Sequence, residues 1–343
     1  MVLTFVRGAE NSATYTIFGK LPGRADFLRI NASHPVAREF DDLLSRGLDS
    51  VSATENWNER YDKSGPSDFF YTSRDGRHAF IGVMHPSRDS TGRRYPLIAG
   101  VIVASESIAD CLPVLPIAYE LFFSGLREQL ASGIENSVEM IACRQFLEDQ
   151  ITSSRHASAD LDLARELLAR FQQLQSANSL GSLLSNTNNT GILERSLINI
   201  GFSLELSRRF TAPTMQQLIM LPLPESPTED AFFSASWLMI YMAFSRQLLP
   251  GTMPGYFVSH IEGKTRFTVV PGQVPTRFIP ALLGAPLDPL CALDLDAPNP
   301  PWAAHRLYAE ASYLLGRELL DPQATVRRVI EFIAQLAEKI GKP

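Results

Sequence analysis

A chain of 343 residues with 45% hydrophobic and 20% charged residues can bury a sizeable core, in one large domain or two smaller ones. Its net charge of −6 repels phosphate backbones and anionic lipid, which argues against nucleic acid and membrane surfaces as general partners. Its three cysteines, Cys111, Cys143 and Cys291, are odd in number, widely spaced and without a C-x-x-C pair, so neither a disulfide framework nor a zinc knuckle is expected.

Residues 1–8 show no basic stretch leading into an apolar run, so no signal peptide is expected. The longest apolar run, 235–244, falls short of the roughly 20 residues that a membrane-spanning helix needs, and reads as a buried helix. The expected location is the cytoplasm.

In chain order, 15–18 is β-branched and aromatic and stops at Gly19, the pattern of a strand. Val36, Phe40, Leu43, Leu44 and Leu48 recur at helical spacing, with Ser33 and Pro35 as the start signal. Segments 69–72 and 79–84 flank Asp75-Gly76 and read as a hairpin. The apolar run 97–104 predicts a central strand covered on both faces. Helices are expected over 113–131 and 138–151, and a third carries the stripe Leu161, Ala164, Leu168, Phe171 and Leu174. The Ser/Asn-rich stretch 176–191 reads as a flexible surface loop. Strands return at 215–221, 256–261 and 266–270, the last two joined at Glu262-Gly263-Lys264, with a helix over 232–249. The last part reads as a helix over 302–319, an Asp321-Pro322 cap, and a narrow seam from Val326 to Ile340 stopped by Gly341. That seam is expected to dock on its own domain.

No G-x-S-x-G, H-E-x-x-H or G-x-G-x-x-G motif is present. Gly263-Lys264-Thr265 resembles the end of a phosphate loop, but Val258 stands where that loop needs glycine and a strand follows where it needs a helix. His78 and His85 are seven apart across a strand, so they point to opposite faces, and His34, His156, His260 and His305 are scattered. No metal site and no cofactor are expected. Asp26 and Asp89 lie in loops beside strands, where a carboxylate pair would serve a hydrolase, though a structural Arg–Asp pair is the commoner role.

Two loops concentrate the polar signal: 18–28 and 84–97. Each follows a strand, each carries Gly and Pro, and each holds arginine with aspartate. A guanidinium bridges a carboxylate and backbone carbonyls at once, so such a loop is either a clamp or a clamp that presents a recognition surface. The residues singled out are Lys20, Arg24, Asp26, Ser87, Asp89, Arg93 and Tyr95.

Gly19-Lys20-Leu21-Pro22, Arg24 and Asp26-Phe27 resemble the G-K-L-P-x-R-G-D-F signature of the TagF (ImpM) family of type VI secretion. Pro86, Ser87, Asp89, Gly92, Arg93 and Tyr95-Pro96-Leu97 are similar to its P-S-x-D-x-x-G-R-x-[FY]-P-L. Phe40-Asp41-Asp42-Leu43-Leu44 stands where the family often has W-D-x-W-L, and Ser236-Trp237-Leu238, 256–260 and 271–278 resemble its later helix, strand and closing segment. Ala25 replaces the usual glycine, the first-helix tryptophans are absent, and about 143–190 reads as a helical insertion.

The resemblance implies a three-layer α/β/α sandwich around a central mixed sheet. The TagF-like domain would span 1–285, with 286–343 a helical extension packed on it. It implies no catalytic residues. It further implies post-translational repression of secretion by binding the forkhead-associated (Fha) scaffold protein of the system, the alternative being a hydrolase that uses Asp26 and Asp89.

Overall fold

The structure, a computed structural model, describes residues 13–51, 55–136, 140–152, 157–184, 190–209, 217–224 and 227–342. The first half runs β1 (Thr14–Gly19), β2 (Leu28–Ile30), α1 (Pro35–Asp49), α2 (Trp57–Lys63), β3 (Ser67–Thr72), β4 (His78–His85) and β5 (Leu97–Ala104). A helical stretch follows: α3 (Leu115–Ala118), α4 (Glu120–Asn136), α5 (Ile141–Thr152), α6 (Ala157–Leu174), α7 (Ala177–Leu184) and α8 (Thr190–Arg209). The chain then gives β6 (Ile219–Pro222), α9 (Pro227–Leu248), β7 (Gly255–Ile261), β8 (Lys264–Val270), α10 (Ile279–Leu282), α11 (Tyr308–Leu319) and α12 (Val326–Gly341).

The eight strands form one sheet in the order β2-β1-β5-β4-β3-β7-β8-β6. Every pairing between these strands is antiparallel, where strands of mixed direction were expected. Hairpins account for much of this: β3 and β4 turn at Gly76 (φ 70°), and β7 and β8 turn through Glu262 (φ 51°) and Gly263 (φ 78°). Two successive positive φ values match the right-handed strand twist. Gly263-Lys264 is therefore a hairpin turn.

Alternation along the strands divides the core into two layers. Ile81, Val83, Leu97, Ala99 and Val101 join the larger cluster under the helices α3–α9, α11 and α12. Phe69, Phe80, Met84, Ile98 and Ile102 face the smaller cluster of α1, α2 and α10. This is the expected three-layer arrangement, with unequal outer layers. Phe40 and Leu43, where the family often has tryptophan, are both buried, and Phe40 stacks on Phe69 at 4.6 Å between centroids.

Local details differ from the sequence expectations for definite reasons. His34, rather than Ser33, caps α1: its Nδ1 accepts from the Val36 amide at 3.3 Å, with Pro35 in the first turn. The segment read as a loop contains α7, because Ala177, Leu180 and Gly181 bury a face that the polar residues around them mask. The helix expected from 302 begins at Tyr308. Thr325 caps α12 by accepting from the Arg328 amide, while Asp321 closes a turn onto the Gln323 amide. Gly341 is the last helical residue, with Lys342 as the cap. The starts expected at 138 and 215, the Asn189 end of the insertion and His156 lie outside the described residues.

The seam of α12 is buried from Val326 to Ile340 and packs on α9, α6 and α8. No single helix among the described residues is long and apolar enough to cross a membrane; the bent pair 109–118 and 120–136 meets that test only when its arms, 60° apart, are taken together.

Candidate functional site

The two polar loops meet where β1 and β4 end. Gly19 closes β1 with φ 132°, and a Cβ there would stand 2.1 Å from the Pro96 carbonyl oxygen. Only glycine permits both the conformation and the close approach. The loops then join through Asp89, whose side chain is fully buried. Its Oδ2 accepts from Arg93 Nε at 2.7 Å and lies 3.0 Å from Lys20 Nζ. Its Oδ1 accepts from the Thr91 amide at 3.0 Å, the Thr91 hydroxyl at 2.7 Å and the Arg93 amide at 3.0 Å. Burial alone would raise the pKa of this carboxyl. The hydrogen bonds from Thr91, Lys20 and Arg93 outweigh burial and hold it well below the usual carboxylate range.

Arg93 bridges the two loops. While Nε holds Asp89, Nη2 reaches across to the Ala25 carbonyl at 2.8 Å. The Ser90 amide donates to the Arg24 carbonyl at 2.9 Å, and the Ser87 hydroxyl to the Lys20 carbonyl at 2.7 Å. One buried carboxylate and three cross-loop bonds thus fix the two loops as a unit. Charge-assisted bonds of this kind are roughly twice as strong as neutral ones.

Tyr95 anchors the unit from below. Its phenol donates to Asp41 Oδ1 on α1, and its ring meets Phe27 edge-on at 5.1 Å. Burial, with the Asp41 carboxylate, raises this phenol's pKa far above its usual value, so it stays a donor. Asp41 also pairs with Arg29 at 3.2 Å.

Of the seven residues singled out from sequence, Lys20, Ser87, Asp89 and Arg93 converge directly, and Tyr95 braces them. Arg24 contributes through its backbone and Asp26 stands outside the network, both on the exposed tip 23–26. Gly92 takes φ 84° in the turn, whereas Ala25 keeps a negative φ, as its departure from glycine requires.

The sequence reading missed Tyr61, Thr91, Asp41 and Asp62. Thr91 was findable, since an aspartate followed two residues on by a hydroxyl is a turn signal. Tyr61 and Asp62 were not, because their partners Ser87 and Arg94 lie a long way along the chain, with Arg94 making a bidentate pair to Asp62 at 2.9 and 2.6 Å. Beside the clamp opens a cleft of about 460 Å³ lined by Pro22, Tyr61, Asp62, His85, Arg88 and Glu135, among others. Among the described residues, no group of three or more His, Cys, Asp or Glu is placed to hold a metal ion. His85 Nδ1 lies 3.0 Å from the Pro86 carbonyl, and His34 meets His78 edge-on.

Fold and site together define an α/β protein with a pair of polar loops locked together over the ends of its sheet. Residues 16–150, a span that holds both loops, match the family model described as the TagF N-terminal domain, type VI secretion system-associated. That match makes residues 16–150 a TagF N-terminal domain, associated with type VI secretion. The matched span ends within α5, so the resemblance noted for 236–278 lies beyond it. No curated protein matches the chain. A solved structure, PA0076 from Pseudomonas aeruginosa PAO1, is similar at 22% identity and a TM-score of 0.32, over 40% of this chain and 62% of that one. The chain therefore spans less than two thirds of that protein's length.

Proposed function

We propose that this chain is a cytoplasmic, non-catalytic regulator that restrains type VI secretion after translation by binding the system's forkhead-associated scaffold protein. The observation that carries the reading is the saturation of Asp89. Four of its five contacts close its own turn onto Thr91 and Arg93, the fifth ties that turn to Lys20 of the other loop, and the product is a rigid platform under the exposed tip 23–26. A preorganised surface loses little entropy on binding, which is what a protein-recognition face requires.

The hydrolase alternative draws no support from the same geometry. Asp89 has both oxygens engaged and a depressed pKa, so it is poorly suited to give or take a proton at neutral pH. Asp26 sits on the exposed tip, outside that network.

The test is direct binding of the purified full chain to the forkhead-associated protein of its own secretion system. The expected result is a stable complex that weakens at least about tenfold in the double variant Arg24→Glu, Asp26→Lys, the scale of loss at an interface hot spot. Failure to form any complex at micromolar concentrations would sink the proposal.

A further inference from the structure

On the opposite face of the sheet, under α4 and α9, lies a cavity of about 110 Å³ unconnected with the clamp. Its wall is unusual for a protein core. Asp68 enters from β3, Tyr256 from β7, Asp230 and Ser234 from the first turns of α9, and Glu120 and Arg127 from α4. Arg127 pairs with Asp68 Oδ2. Four other polar atoms are buried without a hydrogen-bond partner: Asp68 Oδ1, Asp230 Oδ1, Ser234 Oγ and Tyr256 Oη. Tyr256 is 0% and Ser234 1% exposed, so solvent does not satisfy them. Buried polar groups are nearly always bonded, and four orphans on one small cavity mark a place built around something.

The chemistry of the orphans defines the occupant. Two are carboxylate oxygens, which only accept from a donor while ionised, and two are hydroxyls, which turn either way. Three carboxylates (Asp68, Glu120 and Asp230) face a single guanidinium, that of Arg127. The missing group therefore carries several N–H donors and a positive charge. Among the described residues no carboxylate cluster is spaced to ligate a metal ion. The volume is well below that of usual nucleotide pockets and suits a small head group.

We infer that the cavity between β3, β7, α4 and α9 is a binding site for a small alkylammonium or guanidinium group, held by Asp68, Asp230, Ser234 and Tyr256. Such a head reaches the site either on a free amine or on a lysine or arginine side chain of a partner.

The test is thermal unfolding of the full chain with methylammonium or methylguanidinium chloride in the low millimolar range, against sodium chloride and tetramethylammonium chloride. A ligand specific for the folded state raises Tm in proportion to the logarithm of its concentration above Kd. The expected result is such a rise for at least one of the two small cations, absent with tetramethylammonium, which donates no N–H bond. The rise is lost in Asp230→Asn and reduced in Tyr256→Phe, two near-isosteric changes that keep the packing. N-acetyl-lysine methylamide separates the sources: a tighter response than methylammonium assigns the site to a partner's side chain, a weaker one to a free amine. If no probe raises Tm beyond sodium chloride, or if Asp230→Asn keeps the full rise, the orphans hold only water and the inference is overturned.

Discussion

The hydroxyl of Tyr61 donates to the Ser87 carbonyl at 3.0 Å and accepts from the Ser87 amide at 3.1 Å, so one side chain of α2 reaches both backbone polar groups of one loop residue, whose carbonyl also accepts from the Tyr95 amide at 3.1 Å. The ring is fully buried, and burial raises its pKa far above the usual phenol value. In effect Tyr61 extends the sheet ladder by one rung where β4 ends.

Tyr61→Phe therefore leaves the buried Ser87 N–H without a partner, while the Ser87 carbonyl keeps the Tyr95 amide. Such an orphan costs about 1–3 kcal/mol, and a loss of that size is expected. The urea midpoint falls while the slope stays constant, because the surface exposed on unfolding is unchanged. An unaltered midpoint would mean that the loop holds itself without α2.

The clamp also sets a response to acid. The folded-state pKa of Asp89 lies below its ordinary value of 3.8, so the unfolded chain takes up this proton first. Its contribution to stability is complete above that value and is lost as pH falls through the depressed one. Asp89→Asn is expected to lower Tm by the same amount across about pH 5 to 8, with the gap to the parent closing below about pH 4. A gap that stays constant into acid would show that Asp89 acts by shape and not by charge.

How much of this was legible follows from the range of each interaction. The β3–β4 and β7–β8 hairpins were readable because Asp75-Gly76 and Glu262-Gly263 carry their turn chemistry within a few residues. The clamp was half readable. Asp89 and Arg93 are four apart and announce a pair, but nothing in sequence says that Lys20 will be the second cation. The Asp68–Arg127 pair was invisible, since Asp68 looks like any polar residue at the start of a strand. The helix α7 was masked by composition, because Asn178, Ser179 and Ser182 on its outer face hide the buried Ala177, Leu180 and Gly181.

The cavity under α9 predicts a pH dependence of the opposite sign. Burial raises the pKa of Asp230 from 3.8 to about 6, with Arg127 opposing, and burial likewise raises that of Asp68. A raised carboxyl binds its proton more tightly in the folded state, so stability is greatest below the unfolded value and falls as pH rises through the folded one. With no amine added, Asp230→Asn is expected to unfold at a higher Tm than the parent at pH 7, with the advantage shrinking as pH drops from about 6 to about 4. Part of the parent's slope survives in the variant, because Asp68 still titrates. Equal Tm values at pH 7 would mean that Asp230 is not desolvated.

The last prediction concerns α12. Val326, Val329, Ile330, Ile333, Leu336 and Ile340 are all buried against α9, α6 and α8. Burying each of these side chains stabilises by about 1.5–3 kcal/mol, so together they are worth about as much as the whole net stability of a domain. Deleting 321–343 removes that sum and also bares the face of α9 beneath it, and the truncated chain is expected to be insoluble. Because insolubility alone is a blunt result, Ile333→Ala supplies the graded test: a soluble protein weakened by about 2–5 kcal/mol in urea, the range for a cavity left by a large aliphatic side chain. A truncated chain that stays soluble with the parent's Tm would show that α12 contributes nothing to this core and would free its apolar face for another protein.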